Sequence, residues 1–278
     1  IAALAKRSEW QAVLANWDNS IDDAGLRCLQ LQARQSLVRM DAAWTADAQA
    51  LWRGTGKSLP ASCDAPLAQL ATQGGLDDAL RWERFDKAVA EGQGGVMRAI
   101  ARGMGTEAAV QANTYATYND APTAEVAGWP KSARSRLVAS WALARLAKTS
   151  PDQAEALLPG VSQALGFNAD DRARVLYPIA LWTVASYGPQ SARRLAAVPE
   201  AAYDASLHEW RVREALARSD WRSALAAIRK MDDAQRNDSR WTYLAARTSE
   251  LTGDAAGAKT LYRQSAGKSD FHGFLAAN

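Results

Sequence analysis

Five consecutive residues, Gly54-Thr55-Gly56-Lys57-Ser58, look at first like a phosphate-binding loop. That loop requires the spacing G-x-x-x-x-G-K-[ST], because the first glycine lets the backbone amides close around the phosphates. Here the first glycine would fall at position 51, which is Leu51, and a helical pattern rather than an apolar strand leads into the run. His208-Glu209 opens an H-E-x-x-H zinc pattern, but Val212 stands where its second histidine would be. With His208 and His272 as the only histidines, no zinc set of ordinary composition can be assembled. Gly92-Gln93-Gly94-Gly95 lacks the third glycine of a dinucleotide loop and follows a helix, so it reads as a flexible connection. Four carboxylate pairs, Asp22-Asp23, Asp77-Asp78, Asp170-Asp171 and Asp232-Asp233, could in principle do acid–base work. Neighbours on a helix point about 100° apart and converge poorly on one bond. All four sit at expected helix starts, where a carboxylate caps amides and meets the positive end of the helix dipole. Nothing local lowers a thiol pKa for a Cys–His dyad. The residues therefore offer no catalytic constellation, no metal set and no cofactor site.

The elements around these residues are helical. Leu137, Trp141 and Ala144 repeat at i, i+4, i+7 within residues 131–148. Val175, Ile179 and Trp182 do so within 171–187, and Trp241, Leu244 and Ala245 share a face within 240–251. No run alternates apolar and polar, so no strand is expected. Ser150-Pro151-Asp152, Asn168, Ser219-Asp220 and Asp254 read as helix starts, and Gly253 as a helix stop. Helices of about 10–20 residues with short connections must pair as antiparallel hairpins. Residues 92–105 and 114–130 are the loosest stretches and could act as joints.

Composition bounds the function. The chain has 278 residues, 60 of them alanine, with only 18 glycines and 9 prolines, which argues against collagen-like, disordered and all-β classes. A net charge of +3 is small for a dedicated nucleic-acid binder, so no nucleic-acid partner is expected. The longest uncharged window, residues 175–192, is broken by Pro178, Gly188 and Pro189, so no transmembrane segment is expected. Two cysteines, Cys28 and Cys63, would be free thiols in a cytosolic protein and a bridge in an exported one.

Internal repetition points to the architecture. Ser219-Asp220-Trp221-Arg222-Ser223-Ala224-Leu225 resembles Ser8-Glu9-Trp10-Gln11-Ala12-Val13-Leu14. Asp220, Ala224 and Ile228 also align with Asp254, Ala258 and Tyr262 at an offset of 34 residues. Small residues let two helices approach, and large ones fill the gap to the next hairpin. These are irregular helix-hairpin repeats, hence an all-α solenoid or α-superhelix of tetratricopeptide-like character. Trp10, Trp44, Trp82, Trp141, Trp182, Trp210, Trp221 and Trp241 lie mostly on apolar helix faces and should pack between layers. Trp129, before Pro130, lies outside such a stripe and is a candidate for stacking on a sugar.

Two segments resemble the soluble lytic transglycosylases of Gram-negative bacteria. One runs from Cys28 to Asp64 and contains Leu51-Trp52-Arg53-Gly54-Thr55-Gly56-Lys57-Ser58-Leu59-Pro60-Ala61-Ser62-Cys63-Asp64. It is similar to the family's L-W-x-T-G-K-S-x-P-x-x-C-D run, which has a Cys about 35 residues ahead of it. The other, residues 206–278, includes Arg211-Val212-Arg213, Trp241-Thr242-Tyr243, Gly253-Asp254-Ala255-Ala256 and Phe271-His272-Gly273-Phe274-Leu275-Ala276-Ala277. His272 stands where the family usually has Tyr. The resemblance implies a periplasmic, peptidoglycan-cleaving protein with a U-shaped or arc-like superhelical domain, a linker domain and a C-terminal lysozyme-like domain. That last domain cuts between N-acetylmuramic acid and N-acetylglucosamine and leaves 1,6-anhydro products. Its E-S and G-L-M-Q motifs do not occur here. Residues 1–278 are accordingly expected to be one superhelical domain, a fragment of a longer chain and catalytically inactive by itself. The resemblance implies a Cys28–Cys63 disulfide and no cofactor. The expected partners are peptidoglycan glycan strands, the linker and catalytic domains of the same protein, and other cell-wall proteins. Three basic pairs, Arg134 with Arg136, Arg172 with Arg174, and Arg193 with Arg194, are candidates to meet the carboxylates of the glycan's stem peptides. A stand-alone solenoid that binds other proteins in the periplasm is the alternative.

Overall fold

A computed structural model describes all residues from Ile1 to Asn278 and contains eighteen α-helices and no strand. The order begins α1 (Ala2–Lys6), α2 (Trp10–Ala15), α3 (Ala24–Ser36), α4 (Ala42–Arg53), α5 (Asp64–Thr72) and α6 (Asp78–Ala90). It continues α7 (Gly94–Ala101), α8 (Thr106–Asp120), α9 (Ala133–Thr149), α10 (Pro151–Leu165), α11 (Ala169–Ala185) and α12 (Ser191–Ala197). It ends α13 (Ala205–Ala217), α14 (Trp221–Arg229), α15 (Asp233–Arg236), α16 (Ser239–Leu251), α17 (Ala255–Ala266) and α18 (Phe271–Ala277). The fold class is the expected one: all-α, built of irregular helix hairpins. No helix is long and apolar enough to cross a membrane.

Four hairpins close through the same three-residue turn. The pairs α1/α2, α6/α7, α13/α14 and α16/α17 are joined by residues 7–9, 91–93, 218–220 and 252–254. In each, the second linker residue is left-handed: Ser8 (φ 58), Gly92 (φ 70), Ser219 (φ 57) and Gly253 (φ 95). Its amide and the next one bond back to the ending helix. Ser219 N donates to Leu216 O at 2.9 Å and Asp220 N to Ala215 O at 2.9 Å; Gly253 and Asp254 repeat this on Glu250 and Ser249. This double bond-back satisfies carbonyls that the helix end would otherwise leave open. In two of the four, the side chain of the third residue then caps the next helix. Asp220 accepts from Ser223 N and Asp254 from Gly257 N, at nearly the same backbone angles. The 34-residue repeat is therefore a repeat of this turn, and Ala224 and Ala258 are both buried behind it.

Residues 92–105 and 114–130 are not loose. Gly92 takes the left-handed turn position, and Gly94 is buried at the start of α7, where a Cβ would lie 2.2 Å from Asp120 Oδ1. Gly92 thus answers to backbone angle and Gly94 to crowding. Helix α8 continues to Asp120, leaving 121–132 as the irregular stretch, anchored by buried Val126.

The helices group into two compact units. One comprises Ile1–Ala142 and Gly160–Gly166, the other Leu143–Pro159 and Phe167–Asn278. In the first, Ala5, Val13 and Ala33 form a small core with Leu4, Trp10 and Leu29 against it. Trp44 is fully buried, and its indole donates to Leu31 O at 2.9 Å, tying α4 to α3. In the second, Ala180, Val184, Leu195, Val198 and Leu207 form one core. Val212, Ala224, Ile228, Met231 and Trp241 belong to another. Cores built from so many alanines bury little area per residue, so cross-links between helices carry more weight than in a large globule.

Cys28 and Cys63 form one such link, a disulfide between α3 and the 3-10 turn Ala61–Cys63, with both residues fully buried. It closes a sequence separation of 35 residues. Loop-closure entropy assigns such a bridge about 4 kcal/mol. Replacing both cysteines by alanine should lower the unfolding free energy of the first unit by up to about 4 kcal/mol, read as the urea midpoint shift of its transition. An unchanged midpoint would show that the unfolded chain is not restrained by the bridge.

Candidate functional site

The phosphate-loop look-alike is a structural elbow after α4. The Gly56 amide donates to Glu91 Oε1 at 3.2 Å, and Lys57 Nζ leans towards the same carboxylate at 3.9 Å. A negative charge thus stands where a phosphate would need to bind. Beneath the loop, Arg84 is buried at 5% exposure and donates to Lys57 O at 2.9 Å. Its guanidinium carbon lies 4.5 Å from the centre of the Trp52 ring, whose indole donates to Leu80 O at 3.0 Å. Burial pushes the Arg84 pKa down. Lys87 Nζ donates to Arg53 O and closes the other side. Gly56 sits so close to α6 that a Cβ would lie 2.3 Å from the Lys87 carbonyl carbon. The family-like T-G-K-S run is therefore explained by packing of a loop on a helix.

The paired carboxylates are caps. Asp23 accepts from Leu26 N, Asp77 from Leu80 N and Asp232 from Gln235 N, each at 2.7–2.8 Å. Asp171 completes a capping box with Asn168: its Oδ2 accepts from Asn168 N while Asn168 Oδ1 accepts from Asp171 N. A general acid needs a carboxyl whose pKa is raised by burial or by a like charge. The carboxyls with displaced pKa values here, Asp18, Asp41, Glu155, Glu200, Asp220, Glu250 and Asp270, all move down. Each accepts hydrogen bonds that favour its ionised form.

The six arginines singled out by sequence fall into different environments. Arg134 forks onto Asp86, at 2.7 Å from Nε and 3.0 Å from Nη2, and lies 4.3 Å over the Trp82 ring. Arg136 is half-buried and Arg172 exposed. Arg174 pairs with Asp171 at 3.2 Å. Arg193 forks onto Glu155 at 2.7 and 2.9 Å. Arg194 is buried at 5% exposure and binds Glu155, Asp152 and the Thr183 hydroxyl, joining α12 to α10 and α11. Arg134, Arg193 and Arg194 are thus committed to carboxylates of the fold itself.

Trp129 packs edge-on against Tyr115 at 4.7 Å and Tyr118 at 4.9 Å. Its ring closes an aromatic cluster with Trp82 and Phe85 and does not stand free for a sugar. Two arrangements escaped the sequence reading. Glu200 bridges Arg211 and Lys230 at 3.0 and 2.9 Å, and Arg211 lies 3.4 Å over the Tyr203 ring; together they line a cleft of about 350 Å³. A second groove, about 810 Å³, runs past Tyr243, Tyr262, Arg247, Lys259 and Arg263 in the last helices. Neither shows in the sequence, because each depends on how successive helices, over residues 192–230 and 243–278, turn their side chains towards one another.

Two consequences can be measured. Gly56→Ala should destabilise the first unit by about 3 kcal/mol, because its Cβ meets backbone that cannot swing aside; a thermal midpoint within a degree of the parent would refute this packing. Glu155 is held down to about 2 from its ordinary 4.5, first by its hydrogen bonds from Arg193, despite partial desolvation, and then by those from Arg194. A depressed carboxyl stabilises the fold fully above its unfolded pKa and loses that contribution on acidification. The parent should therefore lose stability more steeply than Glu155→Gln as the pH falls from 4.5 towards 2. Parallel acid limbs in the two proteins would mean that the pair contributes nothing.

Comparison with known proteins places this geometry. No protein-family model matches the chain. The soluble lytic murein transglycosylase of Salmonella typhimurium is 26% identical over 280 aligned residues, which cover 99% of this chain and 43% of that protein. The Escherichia coli K12 protein of the same name is 25% identical over the same shares. Among solved structures, an inactive mutant of lytic transglycosylase Slt from Pseudomonas aeruginosa is 27% identical with a TM-score of 0.73. The match covers 99% of this chain and 45% of that one. The complex of a 70-kDa soluble lytic transglycosylase with bulgecin A superposes with a TM-score of 0.82 at 24% identity, a likeness of fold. The chain spans somewhat under half the length of these relatives. Over 99% of its own length, this chain is similar in sequence to proteins named soluble lytic murein transglycosylase.

Proposed function

We propose that this chain is the superhelical scaffold portion of a periplasmic lytic transglycosylase acting on peptidoglycan. In this reading residues 1–278 form one superhelical domain of a longer protein. The domain frames glycan strands for a lysozyme-like domain that cleaves between N-acetylmuramic acid and N-acetylglucosamine and leaves 1,6-anhydro ends. The observation that carries the reading is the colinear match to relatives named soluble lytic murein transglycosylase over 99% of the chain. Two local features support it: Gly56, Lys57 and the Cys28–Cys63 bridge are used structurally, and the carboxyls with displaced pKa values all move towards the ionised form. A disulfide also suits an oxidising compartment. The ion-paired arginines enter this proposal as struts that keep the frame in register. The exposed positive charge of a chain carrying +3 overall supplies a mild attraction for the carboxylates of stem peptides.

The test is incubation of the 278-residue chain with purified sacculi. The expected result is protein in the pellet and no anhydro-muropeptide in the supernatant by mass spectrometry. Anhydro product above a protein-free control would place catalysis within this chain. Protein that stays in the supernatant would remove the glycan-framing role and favour a protein-binding module.

A further inference from the structure

Tyr187 is placed against the ordinary rules of packing. It follows α11 in a left-handed conformation (φ 55), a position that Gly occupies after four other helices, at Gly74, Gly92, Gly166 and Gly253. A side chain there costs stability, and this one is 81% exposed, so it returns nothing through burial. The hydroxyls of Tyr115, Tyr118, Tyr177, Tyr203 and Tyr262 each have a partner within the fold, whereas those of Tyr187 and Tyr243 have none.

The ring is the end of an ordered strip within the second unit. It meets Trp210 of α13 edge-on at 6.5 Å. Arg213, one turn along α13, stands 5.1 Å from the centre of the Trp210 ring and 5.9 Å from that of Trp241. Arg240 stands 5.9 Å from the same Trp241 ring. Arg213 pairs with Glu209 at 2.8 Å, while Arg240 has no carboxylate partner. One of the two guanidinium groups thus lacks a carboxylate, and the strip runs from buried Trp241 through half-buried Trp210 to the exposed Tyr187 ring. A pyranose ring has an apolar C–H face for an aromatic surface and a polar rim for water, and a carboxylate suits the spare guanidinium.

We infer that Tyr187, Trp210, Arg213 and Arg240 form a stacking subsite for a carboxylate-bearing amino-sugar segment of a glycan. The inference rests on the peptidoglycan reading above and gives it a location. Tyr187 offers the ring face, Trp210 braces it edge-on, Arg213 sits beside Trp210, and Arg240 meets the carboxylate.

The experiment titrates the full 278-residue chain with three probes: a disaccharide-peptide from digested peptidoglycan, a neutral N-acetylglucosamine oligomer and a single-stranded oligonucleotide. Tyr187→Gly should bind the disaccharide-peptide at least about fivefold more weakly while its thermal midpoint stays level or rises. Arg240→Gln should narrow the preference for the disaccharide-peptide over the neutral oligomer. Val38→Gly, at another exposed left-handed helix end, should bind like the parent. If the parent pellets with sacculi and Tyr187→Gly binds as well as the parent, the subsite is refuted and the scaffold reading stands. If the parent binds neither sacculi nor the disaccharide-peptide, both are refuted. An oligonucleotide that competes at equal affinity would overturn the assignment to saccharide.

Discussion

Turning a chain from one helix into the next within three residues is the constraint on which this structure depends. The ending helix has carbonyls without partners and the starting helix has amides without partners. A left-handed residue followed by a capping residue serves both at once, with Ser219-Asp220 and Gly253-Asp254 as the clearest pair. Because the turn is so short, the two helices must lie side by side, and small residues such as Ala224 and Ala258 must face the partner. The abundance of alanine and the frequency of Asp at helix starts are two consequences of the same geometry.

A stack of alanine-faced hairpins buries modest area, and the remaining cohesion comes from links at defined points. The disulfide joins α3 to a distant turn, Trp44 and Trp52 hold neighbouring backbones through their indoles, and Arg84 props the elbow from below. Arg194 is the counterpart in the second unit, buried and bound to three side chains from two helices. A buried guanidinium without such partners would cost far more than it returns. These arginines fix the spacing and register of the helices they join.

The functional argument has two independent strands. One is colinear similarity to murein transglycosylases, which covers the whole chain but less than half of those proteins. The other is chemical: the carboxyls with displaced pKa values are stabilised as anions, and the loop that mimics a phosphate site holds a glutamate instead. Both fit a scaffold. The strip from Tyr187 to Arg240 stands apart, because its two ends, the Tyr187 ring and the Arg240 guanidinium, are not consumed by the fold.

Much of this protein could be read in its residues. The i, i+4, i+7 faces, the Asp caps and the absence of alternating runs gave the all-α class, because capping and periodicity are local chemistry and need only neighbours in the chain. The family resemblance rested on the same kind of contiguous run, Leu51 to Asp64. Other features could not be read locally. Gly92–Gly95 looked flexible because its neighbour Asp120 is 26 residues downstream of Gly94, and crowding by a distant helix leaves no mark in the local sequence. Arg134, Arg193 and Arg194 looked available because Asp86, Asp152 and Glu155 lie dozens of residues away. Trp129 looked exposed and proved packed; Tyr187 passed unnoticed and proved exposed. The sequence by itself determined which residues begin, end and face a helix. Only the tertiary structure decided which charges and rings remain for a ligand, because that depends on partners brought together from hairpins far apart in the chain.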